Sequence, residues 1–267
     1  ASYYHRGTPR YFEYVISELP IKRAPQDEID GFVNLIFNES LSLDKLKEET
    51  TDTEEAILYA YFKQADKIID HLWQLDKLFY VQYTVDSSDT VAQKEIRALI
   101  SHEQNLLNAS VLDALFSYGN SVAWIYRGKE VPIHSKTDFN KLLSSICEDV
   151  YCATPIFINE MVNKHKPSSA ISLARVNYLT HLLENASDAD LGFEEGKFPP
   201  EKTIYMTLLK NTKIHRKVGS DYFLDAPQDP SFQALWQACE AFMDGTKEKP
   251  HKLGELIKIL KARPFKL

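Results

Sequence analysis

Few residues in this chain have the types and spacing that chemistry requires. Cys147, Cys152 and His165 lie within one stretch, and thiols with an imidazole are zinc ligands. Their spacing is not that of a zinc finger, and no fourth ligand is evident, so they read as helix thiols and no metal site is expected. Gly192 to Lys197 looks like a phosphate loop. A Walker A loop needs four residues between its glycines and Ser or Thr after its lysine. Here three residues intervene and Phe198 follows the lysine, so no nucleotide or other cofactor is expected. Lys210, Lys213, His215, Arg216 and Lys217 form the one dense basic cluster. Such a cluster suits phosphate contact, although at a helix end it also complements the helix dipole. With Arg175 on a neighbouring helix, Lys210, Lys213, Arg216 and Lys217 are the candidate nucleic-acid contacts. The chain has no GxSxG or HExxH motif, and His71, His102 and His181 sit inside helical patterns. No catalytic residue is therefore assigned.

The elements that would position these residues read mostly as helices. Tyr11 to Leu19 is expected to be a short helix stopped by Pro20. A second opens at Pro25 and Asp27, with Ile29, Phe32, Val33, Ile36 and Phe37 on its apolar side. Thr51, Asp52 and Thr53 followed by Glu54 and Glu55 form a start signal of capping-box type. A long helix is expected to follow, burying Ile57, Ala60, Tyr61, Ala65, Ile68, Leu72, Leu75 and Phe79. Tyr59, Tyr61, Phe62 and Trp73 are read as core aromatics rather than a ligand cage. Ser87, Ser88 and Asp89 cap a further helix, with a break near Asn108 and an end at Gly119–Asn120.

Residues 122 to 134 change character. β-branched and aromatic residues flank Arg127-Gly128-Lys129, the best hairpin signal in the chain. Three helices are then expected: one capped by Asp138, one opened by Thr154–Pro155, and one that starts after the turn and cap at Pro167, Ser168 and Ser169 and runs to about Asn185. Three helices with short links can form a helix-turn-helix core. Pro199-Pro200-Glu201 starts another helix, and KIHRKVGSDYFL has the pattern of a wing. Asp229–Pro230 and Pro250 open the last two helices.

Composition places bounds on function. The 267 residues, 44% hydrophobic and 26% charged, suit one large core or two modest domains. No apolar run nears the roughly 20 residues needed to cross a bilayer. No secretory signal is seen at the start, and three cysteines argue for a reducing compartment. A cytoplasmic protein with no membrane partner is expected. The start at ASYYHRG, without Met, reads as that of a piece cut from a longer polypeptide. The net charge of −7 is uneven. From Lys197 onward there are 13 Lys and Arg against 8 Asp and Glu; earlier residues hold the acidic excess. An acidic surface suits protein partners more than nucleic acid.

ICEDVYCATPIFINEMVNKHKPSSAISLARVNYLTHLLEN, DLGFEEGKFPPEKTIYMTLLKNTKIHR and ELIKILKARPFKL resemble blocks of the large P-loop ATPases of bacterial defence islands. The ATPase component of BREX phage-exclusion systems and its relatives are the nearest family. The matching positions are Thr154, Pro155, Asn159, Glu160, Val162 and Asn163, then Phe198, Pro199, Pro200 and Glu201, then Arg263, Pro264 and Phe265. The phosphate loop that defines the family's ATPase module is absent here, so ATP hydrolysis does not carry over. The resemblance implies a non-catalytic interaction or coupling module excised from a larger antiviral-defence NTPase, with other domains or subunits of a defence complex as partners. A DNA-binding module of the same protein is the first alternative. An unrecognised hydrolase, needing a pocket of converging titratable groups, is the second.

The expected fold is mainly α: a multi-helix protein with one small β-hairpin, for which a winged-helix-like C-terminal half is an open arrangement. The expected segments are a helical domain over 1–120, a β-hairpin connector over 121–135, and a helical or winged-helix-like domain over 136–267.

Overall fold

A computed structural model describes residues 2–38, 40–63, 65–116, 121–163 and 166–267. The expected helix end at Gly119–Asn120 and the candidate ligand His165 lie outside the described residues. The chain divides into two compact units, one of residues 11–145 and one of residues 2–10 with 146–267.

The first unit overturns the mainly-α expectation. Helix makes up 51% of the chain, but it accompanies a five-stranded mixed sheet and a separate two-stranded sheet, so the class is α/β. β1 (Ser2–His5) neighbours β2 (Thr8–Ser17), whose later residues start the first unit's sheet. β3 (Gly31–Ile36) and β4 (Ile57–Phe62) follow, and β2, β3 and β4 run parallel. β5 (Val122–Tyr126) and β6 (Lys129–Glu130) then add antiparallel. The segments expected as helices at 11–19, 25–37 and the start of 51–79 are therefore β2, β3 and β4. The reason is physical. Every residue of β3 is buried, and so are five of the six in β4. A strand covered on both faces reads as a continuous apolar run, which periodicity cannot separate from a buried helix. β-branched and aromatic residues fill both runs, as a pleated surface favours.

α1 (Leu43–Thr50) crosses between β3 and β4, and its N-cap Ser42 accepts from the Lys45 amide. It presents Leu46 to a cluster of Phe32, Ile36, Leu41, Ile57, Tyr59 and Ile125. Thr51, expected inside a capping box that starts a helix, is instead the C-cap of α1. Between β4 and β5 the chain makes a helical hairpin, α2 (Asp66–Thr84) and α3 (Thr90–Phe116). Asp89 Oδ1 accepts from the Ala92 amide at 2.9 Å, as its position before the helix implied. α3 is continuous through Asn108. The β5–β6 hairpin turns at Arg127–Gly128, both with positive φ. A Cβ on Gly128 would lie 2.8 Å from the Lys47 carbonyl oxygen, so glycine is needed for space as well as for conformation. This hairpin supplies the last two strands of the sheet.

Ser135 caps α4 (Lys136–Val150), accepting from the Asp138 amide at 3.1 Å, so Asp138 lies inside the first turn rather than at the cap. No helix starts at Thr154–Pro155. The following helix is the single turn α5 (Glu160–Asn163), so the second helix of a helix-turn-helix is missing. α6 (Ser169–Glu184) is capped by Ser168, and α7 (Pro200–Tyr205) starts at Pro200 and continues into a π-helical stretch, Met206–Lys210. β7 (His215–Val218) and β8 (Asp221–Leu224) form an antiparallel pair. α8 (Pro230–Gly245), capped by Asp229, and α9 (Leu253–Lys261) complete the chain. Ala174, Tyr178, Leu191, Ile204, Tyr205, Leu209 and Ile214 form the second unit's core cluster.

Asn34 ties the first unit's sheet together. Its fully buried amide donates to Val15 O at 3.1 Å and Ser17 Oγ at 2.7 Å, and its oxygen accepts from the Ile21 amide at 3.0 Å. Asn34→Leu strands those groups. It is expected to destabilise the first unit by about 3 kcal/mol, measured as a shift of its urea unfolding midpoint.

Candidate functional site

Thr154, Asn159, Asn163 and Phe265 lie inside the second unit, and their polar groups are engaged in internal hydrogen bonds. Arg10 is 1% exposed. It donates from Nη1 to the Lys266 carbonyl at 2.6 Å and from Nη2 to Thr154 Oγ1 at 2.9 Å. Thr154 in turn donates its hydroxyl hydrogen bond to the Phe265 carbonyl at 2.5 Å. The Arg263–Pro264 peptide bond is cis, and the Pro264 carbonyl accepts from the Ala153 amide at 3.2 Å. Pro155 and Phe265 are buried beside these groups in the sequence.

Asn159 accepts from the Met161 amide and donates to Thr207 Oγ1 at 2.8 Å, joining the α5 turn to the helix that Pro199 and Pro200 open. Asn163 donates to Gly7 O at 2.8 Å and Phe157 O at 2.6 Å. Gly7 has φ of 86°, and a Cβ there would lie 2.1 Å from Phe157 O. Glu160 and Glu201 stand in the first turns of α5 and α7, where a carboxylate favours the helix dipole. Glu148 faces Arg6 at 2.6 Å and His5 at 3.0 Å. The Arg6 hydrogen bond leads in holding its carboxyl below the usual range, while burial pushes the His5 imidazole down.

Three of the five candidate basic residues are engaged by groups of their own unit. Arg175 donates to Met161 O at 2.8 Å and Val162 O at 2.9 Å, closing the α5 turn. Lys210 pairs with Asp190 at 2.7 Å. Arg216 pairs with Asp225 and donates to the Lys213 and Ala226 carbonyls. Lys213 and Lys217 are exposed. Asp190 also lies 3.1 Å from Tyr205 Oη, and Tyr205 Oη lies 3.0 Å from His215 Nδ1. His215 Nε2 reaches Ala186 O at 3.0 Å. This chain of polar contacts runs through the core cluster. The Lys210 hydrogen bond leads in depressing the Asp190 carboxyl, and burial leads in raising the Tyr205 hydroxyl. Asp190 and Leu191 both have positive φ, a strained state for Leu, which full burial of Leu191 offsets.

Cys147 is buried, Cys152 exposed and Cys239 half-buried, and all three are free thiols. Among the described residues no group of three or more His, Cys, Asp or Glu is arranged to hold a metal. A cleft of about 380 Å³ in the first unit is lined by Glu48, Glu49, Asp52, Glu54 and Glu55 with Lys22 and Thr53, which includes no histidine or cysteine.

The feature that sequence reasoning missed is the outer face of α2. Trp73 is 61% exposed, Tyr80 70% and Tyr83 90%, with Leu72 and Phe79 about half exposed. Leu72, Trp73 and Phe79 had been expected in the core. Within the hairpin, Leu75 of α2 meets Ile96 and Ile100 of α3, with Leu78 packed against them. His71 Nδ1 and Glu103 Oε1 join the two helices at 2.6 Å. The signal was present as a second apolar series, Ile69, Leu72, Phe79 and Tyr83, beside the one that packs. A helix start placed too early hid it. Exposed apolar residues on α6 (Leu173, Val176, Leu179 and Leu183) form a shorter strip without aromatics.

No protein-family profile matches this chain, and no curated protein or solved structure matches it. Among the described residues no helix is long and apolar enough to cross a membrane.

Two outcomes follow from the second unit. Thr154→Val keeps the shape but leaves Arg10 Nη2 and the Phe265 carbonyl without this partner. A loss of about 2–4 kcal/mol is expected, together with faster proteolytic release of the C-terminal residues. Lys210→Met should raise the Asp190 carboxyl toward its ordinary value, read by carboxyl NMR titration. Because the folded Asp190 pKa is depressed, its stabilising contribution is full above the unfolded value of about 3.9. That contribution is lost as pH falls through the lower folded value, and the acid loss should be smaller in the variant.

Proposed function

We propose that this chain is a non-catalytic interaction and coupling module of a larger bacterial antiviral-defence NTPase. One observation carries the reading: the α2–α3 hairpin exposes Trp73, Phe79, Tyr80 and Tyr83 along one helix. Trp and Tyr concentrate at the energetic centres of protein interfaces. A second support is chemical. Thr154, Asn159 and Asn163 spend their side chains on internal hydrogen bonds, so they organise a scaffold rather than a reaction. The resemblance of three blocks to the defence-island ATPases supplies the biological setting. In this reading the hairpin is the contacting arm, and nucleotide chemistry belongs to another part of the NTPase.

The test pairs a phage challenge with a DNA titration. Trp73→Ser with Tyr80→Ser changes exposed positions, where stability normally moves by less than about 0.5 kcal/mol. Bacteria relying on the defence system should lose protection with that pair while the protein's level and melting hold. The chain itself should show no salt-sensitive binding to a mixed-sequence duplex. Unchanged protection would sink the arm as the contact. Steeply salt-dependent DNA binding, abolished by Lys213→Ala with Lys217→Ala, would replace this reading by a DNA-binding one.

A further inference from the structure

We propose that the free face of α2 is a coiled-coil seam for an amphipathic helix of another polypeptide, one that places a Lys or Arg opposite Asp76. The inference rests on the interaction reading above and names the partner's chemistry. Ile69, Leu72, Asp76, Phe79 and Tyr83 recur at alternating steps of three and four residues. That is the spacing of heptad positions a, d, a, d and a. Trp73 and Tyr80 follow the two d positions and widen the stripe.

This seam is distinct from the one that α3 occupies. His71, Leu75 and Leu78 take the α3 side, through the His71–Glu103 contact and the packing of Leu75 and Leu78 with Ile96 and Ile100. Asp66, Asp70, Gln74 and Lys77 make up the polar back of α2 and are exposed. A helix with two apolar seams and one polar back is built to sit between two partners. The fold supplies only one of them, because leucine and aromatic residues on the second seam stay exposed.

Asp76 states what the second partner must be. It occupies the central a position, is exposed, and forms no ion pair or hydrogen bond among the described residues. A single polar residue at an a position fixes register and partner choice in a coiled coil. A second copy of this chain, paired about the middle of the seam, would set Asp76 against its own counterpart. Two like charges at a desolvated seam repel, whereas an opposite charge is matched. The occupant is therefore a different helix, apolar at its own a and d positions and cationic where it meets Asp76. The α6 strip contains no such charge and defines no occupant.

The experiment uses the full chain and two synthetic helical peptides of about three heptads. They share Ile and Leu at the a and d positions and differ only in carrying Lys or Glu at the central a. Fluorescence anisotropy should show the Lys peptide binding about tenfold or more tightly than the Glu peptide. Asp76→Lys should reverse the preference, and Trp73→Ser with Tyr80→Ser should weaken both peptides. Equal binding of the two peptides, or a preference that Asp76→Lys does not reverse, would overturn the proposal. So would a dimer in light scattering that Trp73→Ser with Tyr80→Ser dissociates, since the seam would then be filled by a second copy. If the peptides show no charge preference while the same pair still abolishes phage protection, the partner chemistry is wrong and the interaction reading stands. If protection also survives the pair, both are wrong.

Discussion

A guanidinium with 1% exposure needs hydrogen-bond acceptors, and the second unit is arranged to give Arg10 its acceptors. Thr154 Oγ1 and the Lys266 carbonyl supply two of them. These groups come from opposite ends of the chain and from its middle, so one buried charge draws in three remote segments. Thr154 then satisfies the Phe265 carbonyl, and Asn163 satisfies the Gly7 carbonyl. Each bond contributes modestly when formed but costs more when broken in the interior, where no water can substitute. That asymmetry explains why Thr154 and Asn163, beside the buried arginine's segments, are held by internal hydrogen bonds.

The first unit solves a different problem. β3 and β4 are apolar on both faces and must be covered on both. α1 contributes Leu46 to the cluster on these strands, and β4 is joined to β5 through a long helical excursion. That excursion need only return the chain antiparallel beside β4, so it is free to extend as an arm. α2 and α3 bury their shared seam and still leave an aromatic stripe uncovered. The structural cost of the arm is met within the hairpin, and its free face remains for recognition.

The basic residues show how much of a charge cluster the fold itself uses. Four Lys and Arg cluster between positions 210 and 217, but Lys210 and Arg216, like Arg175, face carbonyls or carboxylates of their own unit. Lys210 is the clearest case, since it lies beside Asp190, whose backbone the fold holds in a left-handed conformation. Charge counts report what is present. Only packing reports what is left for a ligand.

Local signals were legible where the deciding contacts lie within a few residues. Asp89, Ser168 and Asp229 were readable as caps because an N-cap serves an amide two or three positions on. The Arg127–Gly128 turn was readable because two residues with positive φ close it. The heptad stripe of α2 was also written in the spacing, once the helix is started at Asp66. The tertiary structure alone decided that residues 11–17, 31–36 and 57–62 are strands, since their burial is set by neighbours far along the chain. It alone brought Arg10 to Thr154 across 144 positions, and to Lys266 across 256. A sequence records which side chains need partners. The meeting of partners so far apart depends on the path that the packed core imposes.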